Sequence, residues 1–258
     1  MIRQLKTLLT VAGSDPTGGA GIQADIRAGI SLGFHVMTAI TAVTAQNSKG
    51  VFGIEVISDN MLKSQLASIL EDVTPDAVKI GMVGSLSNLE VIHDFLSSLS
   101  PSVPVVVDPV LKSTAGNMEL VKDETPEMID KYQKEIFPMV TVVTPNLEEL
   151  KNFPEMMTTA NAIVLKGGHS GSDSIEDKLI QKDSDEIIKS HSRIDCENLH
   201  GTGCVFSSLL ACFLGLGFSL RESFCKTSQK MIEIIKESNC YSLGGSEYGP
   251  LNINRYKL

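Results

Sequence analysis

Strand-length apolar runs alternate with helical patterns through most of this chain, and that rhythm limits the fold more than any single motif does. The candidate strands are Leu8 to Ala12, His35 to Ala42, Ala77 to Ile80, Val103 to Asp108, Val140 to Thr144 and Ala162 to Lys166. Helical patterns lie between them at Gly21 to Gly33, Asp59 to Leu70, Leu86 to Ser98 and Thr125 to Phe137. Asp59 caps the second of these, and its buried stripe includes Leu62, Leu66, Ile69 and Leu70. Strands alternating with helices predict a mostly parallel sheet covered on both faces. After Lys166 the rhythm changes. Lys178 to Gln181 and Glu186 to Lys189, joined by the polar Lys182-Asp183-Ser184-Asp185, read as a small β-hairpin, and helices follow at Gly203 to Leu214 and Leu220 to Glu237. No repeat, low-complexity segment or linker divides the 258 residues, so one α/β domain is expected.

A formal charge of −9 argues against nucleic acid or an anionic membrane as the main partner. A nucleotide would then be held by local N–H groups, a lysine and a metal. Residues 1–6 carry no signal-peptide pattern and no apolar run approaches membrane-spanning length, which leads us to expect a cytoplasmic protein. The cysteines are 196, 204, 212, 225 and 240. Their odd number and wide spacing, with no Cys-x-x-Cys, argue against a disulfide framework or zinc site.

One cysteine stands apart. Cys204 closes His200-Gly201-Thr202-Gly203-Cys204, just before the small and apolar run Val205 to Ala211. Glycines set before a helix leave N–H groups bare at the positive end of its dipole, which suits a phosphate. A thiol in that position is expected to have a lowered pKa and to take or relay a proton. The bland alternative is a glycine-rich turn opening an ordinary core helix. A second glycine-rich passage, Gly13-Ser14-Asp15-Pro16-Thr17-Gly18-Gly19-Ala20-Gly21, links the first strand to the first helix. It has neither Walker nor Rossmann spacing, and Asp15 at its tip would suit a substrate hydroxyl or amine.

Functional groups of a parallel sheet gather where strands end. Asp108 and Glu149 follow two successive strands and could hold magnesium, directly or through water, or else serve as a turn cap and a solvated helix residue. Gln46, after the second strand, has the donors and acceptor to read an aminopyrimidine edge, although a polar loop residue is the plainer reading. Met82, beyond Gly81, could pack on a flat ring or fill core. Lys166 could neutralise a nucleotide phosphate. His169 and His200 receive no catalytic role.

Together these passages resemble the hydroxymethylpyrimidine and phosphomethylpyrimidine kinases of thiamine biosynthesis, within the ribokinase-like superfamily. The matching residues are Val11 to Asp25, Ile40 to Asn47, Lys79 to Met82, Asp108 to Val110, Thr144 to Glu149, Lys166 to His169 and His200 to Cys204, in the family's order and over nearly the whole chain. The resemblance implies a three-layer αβα sandwich and an ATP- and magnesium-dependent kinase acting on the pyrimidine's hydroxymethyl group and on its monophosphate. It implies that Asp15, Gly21, Gln46, Met82 and Val110 line the pyrimidine pocket, that Gly201, Thr202 and Gly203 form the anion hole, and that Lys166 and Thr202 meet ATP. Cys204 takes the place of the aspartate base of the superfamily's sugar kinases. The resemblance also suggests a homodimer.

Three departures from the family stand out. The segment 150–161 is too short for a full covering helix, Lys112 to Gly116 only loosely matches the substrate flap, and the loop Leu243 to Asn252 keeps Gly249-Pro250 without a basic partner. A pyridoxine or pyridoxal kinase is the rival enzyme. A pyrimidine-binding sensor without turnover is the rival from another class.

Overall fold

In the computed structural model, which describes residues 4–47, 49–111, 126–168, 173–182, 184–240, 243 and 249–253, the chain begins β1 (Thr7–Ser14), α1 (Gly21–Ser31), β2 (His35–Asn47), β3 (Gly50–Val56), α2 (Asp59–Asp72), β4 (Ala77–Ile80), α3 (Leu86–Ser98) and β5 (Val105–Val107). It continues through α4 (Pro126–Lys131), β6 (Val142–Val143), α5 (Leu147–Asn152), α6 (Met156–Thr159), β7 (Ala162–Leu165), β8 (Ser174–Gln181), β9 (Ile187–Ser192), α7 (Thr202–Gly215) and α8 (Leu220–Glu237). All of these strands join one sheet, in the order β3-β2-β1-β4-β5-β6-β7-β8-β9. The six strands from β2 to β7 pair in parallel. Antiparallel β3 closes one edge and the β8–β9 hairpin the other.

Alternation along the strands sorts the core into two halves. Leu9, Val11, Val78, Ile80, Val105 and Val107 face one way and pack with Leu62, Leu66, Leu89, Ile92 and Phe95 of α2 and α3. Leu8, Ala77, Val106 and Val142 face the other way and pack with Ala24 and Ala28 of α1, Leu209 and Leu210 of α7, and Phe224 of α8. The three layers are those expected. The sorting also places Thr10 and Lys79 on the α1 and α7 side, where both are fully buried.

Several local expectations change. The cap of α2 is Ser58, whose hydroxyl accepts the Met61 N–H, and Asp59 is a first-turn residue. β3 has no counterpart among the predicted strands because its run is broken by glycine and half exposed. The predicted helix 125–137 is a six-residue α4 that passes into a wider π turn at Tyr132–Ile136 and a 3-10 turn at Phe137–Met139. As the short 150–161 segment led us to expect, no long helix forms there, and α5 and α6 bracket the buried Phe153, which packs edge-on against Tyr132 and Phe137 at ring separations of 5.6 and 5.2 Å. The flap at Lys112 to Gly116, His169 and the loop residues 244–248 lie outside the described residues.

Candidate active site

Two loops that are distant in sequence meet at the carboxyl ends of the parallel strands. Gly201 adopts φ +83° at the start of α7, and a Cβ there would overlap the Gly19 carbonyl oxygen and lie 3.2 Å from Ala20 Cα. Only glycine allows the two turns to touch. His200 packs over Gly19 from the other side, with its Nε2 2.9 Å from Asp15 Oδ2 and 3.3 Å from Gln46 Nε2. The expected convergence of the two glycine turns is therefore present, and the histidine that sequence reasoning left without a role is its central contact.

Asp15 differs from expectation. Its Oδ1 accepts the Thr17 N–H and hydroxyl at 2.9 and 2.8 Å, while Oδ2 accepts the Ala20 N–H at 2.8 Å and the imidazole. Four bonds fill the acceptor capacity of a carboxylate, leaving nothing for a substrate hydroxyl. Burial alone would raise its pKa, but the bonds from His200, Thr17 and Ala20 prevail and lower it to about 2. Asp15 holds the turn and orients the ring of His200. Gly21, at φ +56°, has no room for a side chain beside the Gly13 carbonyl, so it shapes this turn.

The cradle is open where it was expected, with one change. Gly201 caps α7 without any side-chain hydrogen bond. The Thr202 N–H is already given to the Leu199 carbonyl at 3.3 Å. Among the described residues, the N–H groups of Gly201, Gly203 and Cys204 have no such acceptor and remain for an anion. Cys204 is half-buried and the Gly21 N–H reaches its thiol. The expected low pKa is not found. Burial pushes the thiol up to about 11, and although Lys79 and the Gly21 N–H pull it down, Asp25 and Asp108 add to the rise. The helix-terminus argument fails here because two buried carboxylates and loss of solvent outweigh the dipole.

Beside Gly203 lie the other polar residues singled out from sequence. Lys166 Nζ is 2.6 Å from Asp108 Oδ1 and 3.9 Å from Glu149 Oε2. A Cβ on Gly203 would sit 3.3 Å from that Nζ and 3.6 Å from Asp108 Oδ2. Asp108 also accepts the hydroxyls of Thr144 and Ser207, at 3.2 and 3.3 Å. Glu149 Oε2 accepts the Asn146 N–H in a capping box. Burial raises the Glu149 carboxyl to about 7, against the pull of Lys166 and with help from Asp108. Lys166 stands between the two carboxylates, and Asp108 and Glu149 would hold magnesium through water, where the ion would supply positive charge to nucleotide phosphates.

A small apolar wall completes the crevice. Met82 packs with Ala42 and Val51, and Ile54 and Val110 lie against them. Its methyl group occupies the space a side chain on Gly13 would need. Met82 and Val110 thus share one apolar cluster, and through Gly13 and Gly21 Met82 lies against the same turn whose N–H reaches Cys204. Beneath it, Lys79 and Asp25 form a fully buried ion pair that sequence reasoning missed. The available signal was a lysine inside the otherwise apolar run Ala77-Val78-Lys79-Ile80.

An uncapped helix start at the carboxyl ends of parallel strands, on this strand order, defines a ribokinase-like α/β protein. The family model for phosphomethylpyrimidine kinase matches residues 15–252, and the chain belongs to that family. It is 33% identical over 262 residues to the hydroxymethylpyrimidine/phosphomethylpyrimidine kinase of Rhizobium meliloti (strain 1021), covering 95% of both proteins. Among solved structures it is similar to a phosphomethylpyrimidine kinase from Clostridium difficile 630, with 32% identity, a TM-score of 0.73, and coverage of 88% of this chain and 98% of that one. It is also similar to the pyridoxal kinase from Staphylococcus aureus in complex with AMP-PCP, with 25% identity, a TM-score of 0.84, and coverage of 99% and 96%. The chain spans 34% and 47% of the length of two multifunctional relatives. Among the described residues, no helix is long and apolar enough to cross a membrane.

Proposed function

We propose that this protein, working as a single domain in the cytoplasm, transfers the γ-phosphoryl group of ATP to the hydroxymethyl group of 4-amino-5-hydroxymethyl-2-methylpyrimidine, and then phosphorylates the monophosphate. The observation that carries this reading is the junction of the two glycine turns at His200, Asp15 and Gly201, which brings Gln46 to His200 and Met82 against Gly13 at the turn facing the cradle. The ring lies on Met82 and Val110, with its polar edge on Gln46, which sits beside His200. The acceptor oxygen is directed at Cys204, and the γ-phosphoryl group rests on the cradle while Lys166 balances its charge. Magnesium, held by Asp108 and Glu149 through water, would neutralise the phosphate oxygens. A new O–P bond forms as the bridging bond to ADP breaks, and the hydroxyl proton passes late to an oxygen of the transferred phosphoryl group and on to solvent.

A neutral thiol is adequate for this chemistry. A loose phosphoryl-transfer transition state asks for positioning and charge stabilisation more than for a strong base. The second transfer has an ionised phosphate as acceptor and needs no base.

Pyridoxal phosphorylation is the second reading, favoured by the higher TM-score to the pyridoxal kinase. TM-score follows the backbone that both enzymes share, whereas identity is higher to the pyrimidine kinases, and we weight identity for substrate. The homodimer suggested by the resemblance would need an exposed apolar surface, which Val43 and Phe52 on the β2–β3 edge offer, and sedimentation velocity decides it. The enzyme test is parallel turnover of the pyrimidine and pyridine alcohols with magnesium and ATP. Preference for the pyrimidine supports the proposal, preference for the pyridine supports the rival, and thermal stabilisation by pyrimidine without ADP formation would indicate a sensor.

A further inference from the structure

The buried pair under the crevice is placed where four structural elements meet. Lys79 Nζ, on β4, lies 2.9 Å from both Oδ1 and Oδ2 of Asp25, on α1. Asp25 Oδ1 also accepts the Ser208 hydroxyl of α7 at 2.7 Å, and Oδ2 accepts the Thr10 hydroxyl of β1 at 2.5 Å. All four side chains are fully buried. Each of these elements also leads into or out of a loop of the active site. β1 runs into the Asp15 turn, α1 starts at Gly21, β4 runs into Gly81 and Met82, and α7 carries the cradle, with Ser208 one turn beyond Cys204.

An apolar core would serve stability as well or better, since desolvation of a buried ion pair consumes most of its Coulombic gain. The lysine nevertheless remains charged. Burial works against its proton, but Asp25, with Cys204 and Asp108 further off, raises its pKa above the ordinary lysine value. Its amino group also presses against the chain at Gly81, where a Cβ would lie 2.8 Å from Nζ. Any larger residue at 81 would displace the ammonium from Asp25 or shift Met82.

We propose that Lys79 is a positioning residue for phosphoryl transfer: clamped on Asp25, it fixes the first turn of α7, with Gly203 and Cys204, in register with the β1 and β4 loops that hold the acceptor. Ser208 is the link to α7, and Thr10 the link to β1. This inference rests on the kinase reading above. The pair touches no substrate and acts through the cradle.

The test uses two variants of the full chain. Lys79→Met with Asp25→Asn removes both charges while keeping side-chain length and an acceptor for one hydroxyl. Ser208→Ala breaks only the link to α7. A misplacement of about 1 Å costs about a hundred-fold in rate, so the double variant is expected to lose kcat by about that factor. Ser208→Ala is expected to lose about ten-fold. KM for the alcohol stays within about three-fold in both, because neither variant replaces a side chain proposed to touch the ring. A purely structural role would lower the melting temperature and active fraction but leave kcat per folded molecule unchanged. The proposal is overturned if kcat per folded molecule stays within about three-fold of the parent in the double variant. If that variant does not fold, unchanged kcat in Ser208→Ala overturns it instead. Ratios are taken with whichever alcohol the parent phosphorylates, so a pyridine-preferring parent refutes the pyrimidine reading without touching this one.

Discussion

Gly201→Ala tests the junction of the two turns. Alanine at φ +83° takes on a left-handed conformation costing about 1–2 kcal/mol. Its methyl would also overlap the Gly19 carbonyl oxygen and lie 2.9 Å from the carbonyl carbon, against an ordinary contact of 3.4 Å or more. The backbone cannot rotate aside as a side chain would, so the turns must part by about an ångström or more, adding about 1–3 kcal/mol. The total, about 2–5 kcal/mol, leaves most proteins of this size folded. The same displacement moves the cradle away from the acceptor and is expected to lower kcat by about ten- to a hundred-fold. Gly217→Ala is the control. That residue, past the end of α7, has φ +89° with nothing within 4 Å, so it shares the strain without the clash. Urea denaturation should show both variants destabilised, with Gly201→Ala the more so. Coupled ADP release at equal folded fraction should show a slowed Gly201→Ala beside a nearly normal Gly217→Ala. Equal turnover in the two would refute the reasoning.

Other consequences can be checked separately. Asp15 has a folded pKa of about 2, below its unfolded 3.8, so it stabilises the protein above pH 3.8 and that contribution disappears as pH falls through 2. Asp15→Asn should therefore cost about 2 kcal/mol at pH 7, with the gap closing toward pH 2 in denaturation curves. Cys204 should be alkylated slowly at neutral pH, with a rate rising toward pH 11, and peptide mapping that found half-maximal reactivity near pH 7 would restore the thiolate. Cys204→Ala should slow alcohol phosphorylation by about ten-fold or more while calorimetric ring binding stays within a few-fold. Gln46→Ala should weaken the pyrimidine by about ten-fold and the pyridine alcohol less, a difference that paired KM values would expose.

The layered fold was legible because parallel strands buried on both faces leave long apolar runs, as Leu8 to Val11 and Val105 to Val107 do. β3 and the π turn were not, since β3 pairs at an exposed edge with a bulge and the π turn is imposed by packing of Tyr132 and Phe137. The site showed through its glycines and strand-end carboxylates. What sequence could not weigh was competition for lone pairs and solvent. Asp15 is saturated by its own turn and His200, and Cys204 is governed by Asp25, Asp108 and burial more than by its helix. His200 and the Lys79–Asp25 pair depend on contacts between residues 185 and 54 positions apart, which no local pattern announces.

A crystal structure with the pyrimidine alcohol and a non-hydrolysable ATP analogue tests the central claim most directly. The account predicts the ring between Gln46, Met82 and Val110, its hydroxyl oxygen within hydrogen-bond reach of the Cys204 thiol, and the terminal phosphate on the N–H groups of Gly203 and Cys204. A ring bound elsewhere, or a hydroxyl turned away from Cys204 with the phosphate off the cradle, would contradict it.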